Sequence, residues 1–278
     1  MKNIFDDVSS KCSKITTTAY STSFSLGIKV LDKKLHNSIY GIYGFVRFAD
    51  EIVDSFHAYN QEDLFTKFKE ETYQALENKI SLNPILNSFQ HVMHEYQIDY
   101  SLMDTFLESM QMDLEPQDYD NKKYDKYILG SAEVVGLMCL KVFVSGNNKE
   151  YERLKPFAMS LGAAFQKVNF LRDVNDDFEG LGRTYFPGVD INNFSETEKL
   201  KIEDDIQKDF NDAIMGIKQL PNSSRGGVYL AYLYYYTLFK KIKSVPSTKV
   251  LEERIRVPNA GKIVLMLKSI IKNQLNLI

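Results

Sequence analysis

Asp50 and Asp54 stand four residues apart, and so do Asp173 and Asp177. On a helix that spacing places each pair on one face. In the first stretch, SIYGIYGFVRFADEIVDS (38–55), Tyr43 and Arg47 continue the stripe, with offsets of four, three and four from Tyr43 to Asp54. In the second, LGAAFQKVNFLRDVNDDFEGLGRTYFP (161–187), Gln166 and Asn169 do the same at three, four and four. The remaining positions are largely apolar: Ile42, Phe45, Phe48, Ile52 and Val53 in one, Ala164, Phe165, Val168, Phe170, Leu171 and Val174 in the other. A polar stripe inside a buried helix is costly unless something pairs with it. Asp173, Asp176 and Asp177 also concentrate like charge on about one turn, which destabilises a helix. Hard divalent cations held by carboxylate oxygens would relieve that repulsion. Two such helices facing each other across a cavity, each with an arginine (Arg47, Arg172), would hold several Mg²⁺ ions and, through them, a diphosphate. An isolated D-x-x-x-D is more often a solvated acidic face. The second copy weighs against that reading here.

The elements that must position these residues are helical. Seven prolines and fourteen glycines are few for 278 residues, alternating β-branched runs are nearly absent, and helical apolar spacing recurs throughout. The fold expected is all-α, one domain over 1–278. With 44% hydrophobic residues the chain can bury a substantial core. A net charge of −3, from 34 basic and 37 acidic residues, gives no electrostatic case for nucleic acid. Cys12 and Cys139 form no C-x-x-C pattern, which favours a reducing cytosol and excludes a cysteine zinc cluster. The opening MKNIFDDVSSK lacks the apolar core of a signal peptide. No run approaches the ~20 apolar residues of a membrane span; the best candidate, VVGLMCLKVFV, is short and broken by Lys141. A soluble, cytoplasmic protein is expected, with peripheral contact at the inner membrane surface left open.

Along the chain, residues 3–20 predict a first helix with Ile4, Val8, Cys12 and Ile15 along one face. The break at Tyr20-Ser21-Thr22-Ser23-Phe24-Ser25 offers hydroxyls and backbone N–H groups for phosphate oxygens, or simply a helix cap. The first aspartate helix runs from about Leu31 to Tyr59. Residues 61–78 and 82–95 read as surface helices, and Asp99 to Glu115 as an amphipathic one whose Gln111, Asp113 and Glu115 form a solvated acidic end before Pro116. In 122–145, Gly130 and Gly136 predict close approach by a helix or ligand, since an interior glycine costs ~1 kcal/mol relative to alanine. The second aspartate helix covers 150–179, followed by a loop with Arg183 and Tyr185. Residues 195–219 read as a charged, solvent-facing helix. Five tyrosines in Tyr229–Tyr236 surround the next helix, so some must point inward. Arg254, Arg256, Pro258, Asn259 and Lys262 precede a final apolar helix.

Laid out in this order, the chain resembles the squalene/phytoene synthase family of head-to-head prenyltransferases over nearly its whole length. NFLRDVNDDFEGLGRTYFP is similar to that family's second aspartate motif and the loop after it, YGFVRFADEIVD to the first motif, STSF to its serine-containing diphosphate segment, and RIRVPNAGK to its C-terminal signature. The resemblance implies an isoprenoid-synthase helical bundle around a deep apolar cavity. It implies Mg²⁺ (Mn²⁺ as an alternative) held by Asp50, Asp54, Asp173 and Asp177, with Asn169 beside them. Diphosphate contacts or site-ordering roles fall to Ser21, Ser23, Tyr43, Arg47, Gln166, Arg172, Arg183, Arg254 and Arg256, and Tyr185 joins the aspartates in catalysis. The first motif departs from the family in reading Asp50-Glu51, where two aspartates are common. Leu129 stands where some members carry a tyrosine, with Tyr127 two residues away.

The activity implied is condensation of two prenyl diphosphates through a cyclopropylcarbinyl diphosphate. Phytoene from two geranylgeranyl diphosphates is the first expectation, and dehydrosqualene or squalene from farnesyl diphosphate the second. NADPH is not expected, as there is no G-x-G-x-x-G signal. A terpene cyclase and a noncatalytic helical scaffold are the remoter readings. The oligomeric state is left open.

Overall fold

The computed structural model describes residues 2–114, 119–181 and 185–278, the side chains of 175–181 and 192 excepted. Among the described residues there is no strand. The first half contains α1 (Lys2–Tyr20), α2 (Thr22–Val30), α3 (Lys33–Ser55), α4 (Gln61–Asn78), α5 (Pro84–Glu95), α6 (Tyr100–Met112) and α7 (Asn121–Ile128). A π-helical turn, Leu129–Glu133, then leads into α8 (Val134–Phe143) and the long α9 (Asn148–Leu181). After these come α10 (Glu196–Ile217), α11 (Asn222–Lys243), the short α12 (Ser247–Glu252) and α13 (Asn259–Gln274). Local chemistry sets many of the boundaries. Asp32, Asn60, Asn83, Asp99 and Asp120 each accept a backbone N–H as helix N-caps, and Ser195 with Glu198 closes a capping box on α10. Pro221, Pro246 and Pro258 stand just before α11, α12 and α13.

Two aromatic-rich cores hold α3 and α9 in place. Behind α3, Phe45 is fully buried and stacks on Phe89 of α5 at 3.9 Å between ring centroids, with Phe68 and Phe106 closing around it. Burying one such side chain contributes ~1.5–3 kcal/mol. Behind α9, Phe170 stacks on Tyr185 at 3.9 Å within a cluster that includes Tyr119 and Tyr127. Glycines set two close crossings. A Cβ at Gly130 would fall 2.5 Å from Ser109 of α6, and one at Gly162 of α9 would fall 2.7 Å from the Ala132 carbonyl. Gly136 packs on the Ala158 carbonyl at the seam of α8 and α9 and also lines the cavity described below, so close approach by a helix is seen at both predicted glycines and Gly136 is open to a ligand as well.

Several sequence expectations are corrected. In α1 the line Ile4, Val8, Ile15 faces outward, and Ser9, Ser13 and Thr17 are the buried residues. Ser13 lies against Gly44 of α3, so small side chains rather than large ones let these helices pack closely. α5 is largely buried between α1, α3 and α4 instead of lying on the surface. α10 packs along α9 and buries Ile206, Phe210 and a Lys199–Glu203 ion pair, so only part of its charge is solvated. Asp113 is buried, where its carboxylate accepts a 2.7 Å hydrogen bond from the Tyr127 hydroxyl. Glu115, Pro116 and Arg183 lie outside the described residues, as does the side chain of Asp177.

A candidate active site at the mouth of an apolar cavity

Helices α2, α3, α8, α9, α10 and α11 surround a cavity of about 360 Å³. Its polar end is built by Ser21, Tyr43, Arg47, Asp50, Gln166, Asn169 and Tyr235. Its other end is lined by Leu31, Leu140, Leu154, Phe157, Ile217 and Leu220. From Asn169 back to Leu154, α9 rises ~22 Å along this wall. Part of each polar stripe lines this one cavity: Tyr43, Arg47 and Asp50 from α3, Gln166 and Asn169 from α9, whereas Asp54 and Asp173 do not line it.

On the α3 side, the Arg47 guanidinium forks between Asp50 (Nη1 to Oδ2) and Glu51 (Nη2 to Oε2) and lies 4.3 Å from the centre of the Tyr20 ring. Arg47 Nε is buried without a partner among the described residues. Asp50 is 32% exposed, on the wall of a cavity that is partly open to the surface. Desolvation there, reinforced by the Asp54 carboxylate, holds its acid well above the usual carboxylate range against the pull of Arg47. The Tyr43 phenol is likewise raised by burial, partly offset by a hydrogen bond with Ser21. Ser21 fills both roles open to it: its Oγ accepts the Phe24 N–H at 3.1 Å as the N-cap of α2, and it lines the cavity. Ser23 does not line the cavity.

On the α9 side, Asp173 is held by two arginines. Arg172 Nε donates to Oδ1 at 2.7 Å and its Nη2 pairs with Oδ2; Arg254 Nε donates to Oδ1 at 2.9 Å and Nη2 to Oδ2 at 3.1 Å. Helical geometry alone turns residue 172 about 100° from residue 173, yet the long arginine folds back onto its neighbour. Asn169 Oδ1 is buried with no hydrogen-bond partner among the described residues. Tyr235, stacked on Phe165 at 4.0 Å, joins the halves. Burial raises its phenol, offset by Arg172 and the Asn169 amide and reinforced by Tyr43 across the cavity. Of the five clustered tyrosines, Tyr235 is the one on the cavity wall; the sequence offers no periodic signal that singles it out.

Ser23, Asp54, Arg172, Asp173, Tyr185, Arg254 and Arg256 are all off the cavity wall. Tyr185 is 7% exposed inside the aromatic cluster, off the cavity wall, because its ring is taken up in stacking on Phe170. The Arg256 side chain is exposed, and its backbone carbonyl accepts a hydrogen bond from Lys241 Nζ at 3.1 Å.

The oxygen set fits divalent cations. Asp50 on the cavity wall is crowded by the Asp54 carboxylate, and Asn169 Oδ1 is a buried acceptor without a hydrogen-bond partner among the described residues. Among the described residues alone, no group of three or more His, Cys, Asp or Glu side chains forms a complete site.

Comparison with known proteins shows the family and the fold. The sequence model described as squalene/phytoene synthase matches residues 17–260. The chain is 24% identical over 280 aligned residues to a 15-cis-phytoene synthase of Pantoea ananas, covering 91% of this chain and 88% of that one. It is 27% identical to a 4,4'-diapophytoene synthase of Staphylococcus haemolyticus over 197 residues, 68% of this chain and 65% of that one. In structure it is similar to a dehydrosqualene synthase solved with a ligand (TM-score 0.79, 18% identity, 96% of each chain). A squalene synthase of Alicyclobacillus acidocaldarius superposes with a TM-score of 0.76 at 18% identity, over 87% of this chain and 95% of that one.

Proposed function

Because this chain belongs to the squalene/phytoene synthase family, we propose that it joins two prenyl diphosphates head to head. The observation that carries this reading is one cavity, polar at one end and apolar along its length, lined by Tyr43, Arg47 and Asp50 of one stripe and Gln166 and Asn169 of the other. In the first step the C–O bond of one substrate breaks, its electron pair leaves on the diphosphate, and an allylic cation remains. The second substrate's double bond supplies the electrons of the new C–C bond, and loss of a proton closes a cyclopropylcarbinyl diphosphate. That diphosphate ionises in turn, and rearrangement with loss of a proton gives the hydrocarbon.

Mg²⁺ would be held by Asp50, Asp54, Asn169, Asp173 and Asp177, and supplies Lewis-acid neutralisation of the leaving diphosphate. The chain's own groups do the rest. Arg47 is placed to fork onto phosphate oxygens once Asp50 and Glu51 are engaged elsewhere. Ser21 and Tyr43 offer hydroxyls at the same end. Phe165 and Tyr235 present aromatic faces to a cation. The aliphatic lining excludes the water that would quench it. Geranylgeranyl diphosphate is the first-choice substrate and phytoene the product. Farnesyl diphosphate is the second reading, giving dehydrosqualene by the same proton loss, or squalene where NADPH supplies a hydride to the last cation instead, and it is favoured by the relative and the solved structures named for such products. The test is incubation with each diphosphate separately, with Mg²⁺, with and without NADPH, followed by product mass. A C40 hydrocarbon from geranylgeranyl diphosphate is expected without NADPH. Products built from one substrate molecule would indicate a cyclase and overturn the proposal.

A further inference from the structure

Helix α13 has an outer face that nothing among the described residues covers. Ile263, Leu267, Ile271 and Leu275 recur every four residues, and with Val264 each is more than half exposed. At 3.6 residues per turn these side chains span roughly 120° of the helix circumference. Lys268 and Lys272 border that arc on one side. The opposite face is fastened to the bundle: Ser269 Oγ donates to the Gly226 carbonyl at 2.7 Å, and Arg225 Nε to Asn273 Oδ1 at 3.1 Å. Lys262 lies 5.3 Å from the Tyr234 ring centre, so α13 runs antiparallel to α11. Its first turn is beside the polar end of the cavity and its last turns are beside the apolar end.

The charge around this face is one-sided. From Arg256 to Ile278 there are four basic residues and no acidic side chain, in a chain whose net charge is −3. The two helices beneath α13 share the bias: α11 has Arg225 and three lysines in its last turn without an acid, and α2 has Lys29 without an acid. An exposed aliphatic arc edged by lysines, on three adjoining helices that carry no acidic residue, has the chemistry of a helix lying in the interface of an anionic bilayer. Among the described residues no helix is long and apolar enough to cross one. We infer that the α13 face docks the protein on anionic lipid surfaces, with the cavity's long axis lying along the bilayer. The inference stands on this surface alone and is independent of the reaction proposed above.

The test is co-sedimentation of the full chain with vesicles of phosphatidylcholine alone, or of phosphatidylcholine mixed with phosphatidylglycerol. Three proteins are compared: wild type, the triple variant Ile263→Ser/Leu267→Ser/Ile271→Ser, and Lys268→Glu. All three positions of the triple variant are exposed, so its melting temperature should match wild type, and Lys268→Glu provides a second probe should it not. The wild type is expected to bind the mixed vesicles and to be released by high salt. The triple variant should lose binding by roughly tenfold or more and Lys268→Glu by roughly fivefold. Turnover on detergent-dispersed substrate should be unchanged in both. Equal binding by wild type and variants, or no preference for the anionic vesicles, would overturn the inference. So would a wild-type dimer in sedimentation velocity that Leu267→Ser dissociates, since a second copy would then be what covers the face.

Discussion

The two halves of the cavity mouth are built from the same residue types in opposite proportion. On α3 one guanidinium is divided between Asp50 and Glu51, and Asp54 adds a further carboxylate to the group. On the α9 side two guanidiniums, Arg172 and Arg254, converge on the single carboxylate of Asp173. One half is short of positive charge, which is why the Asp50 acid is driven upward. The other has a surplus among its described side chains. A cation therefore gains most on the α3 half, where it replaces carboxylate repulsion with attraction. A diphosphate, in contrast, can be met directly by arginine on the α9 half. Identical motifs in a sequence thus need not be equivalent in role.

The largest effect should come from removing charge on the poorer half. Asp54→Asn or Asp50→Asn is expected to lower turnover by ~10²–10³-fold, the scale of losing one preorganised electrostatic contact. Melting temperature should stay equal or rise, because the Asp50–Asp54 repulsion is relieved. Steady-state kinetics with thermal melts would show it, and wild-type turnover in both variants would break the comparison. Next is Arg47→Lys, which loses the fork that now spans Asp50 and Glu51. A fall in kcat/KM of roughly 10–100-fold and a stability loss of about 1 kcal/mol are expected. The richer half should respond less. Arg254→Lys leaves Arg172 on Asp173, so a reduction of only ~3–10-fold in kcat/KM is anticipated. If Arg254→Lys proved as damaging as Arg47→Lys, the surplus would not be real.

A carboxylate outside both halves calibrates the electrostatics. Glu133, in the π-helical turn, is pushed up to about 7 by burial first and then by Asp209, against the pull of Lys167. The folded state therefore holds that proton over pH values at which the unfolded chain has released it. Stability attributable to Glu133 falls as pH rises from its ordinary range toward 7. Glu133→Gln should flatten that slope and gain about 1 kcal/mol above pH 7, discounted for its partial exposure. Denaturation curves across this range, with an unchanged slope in the variant, would reject the assignment.

The helical class and the shared face of Tyr43, Arg47 and Asp50 were legible because side-chain direction on a helix follows from spacing alone. Gln166 and Asn169 were legible for the same reason. What spacing does not carry is the partner on another helix. Asp113 looks like a solvated cap until Tyr127 is brought onto it from fourteen residues away. The inward face of α1 is hidden because Ser9, Ser13 and Thr17 are buried through small size rather than hydrophobicity. Tyr235 is lost among its neighbours, since five consecutive-turn tyrosines give no stripe to read. Tyr185 follows a clear motif, yet the fold uses its ring for packing on Phe170.

The most direct measurement of the central claim, that the two halves meet one diphosphate with different chemistry, is calorimetric titration of inorganic diphosphate into the protein with and without Mg²⁺. The account predicts that tight binding requires Mg²⁺ in the wild type, that Asp54→Asn removes the Mg²⁺-dependent part, and that Arg254→Lys keeps it. Tight binding without Mg²⁺, unchanged in Asp54→Asn, would contradict it.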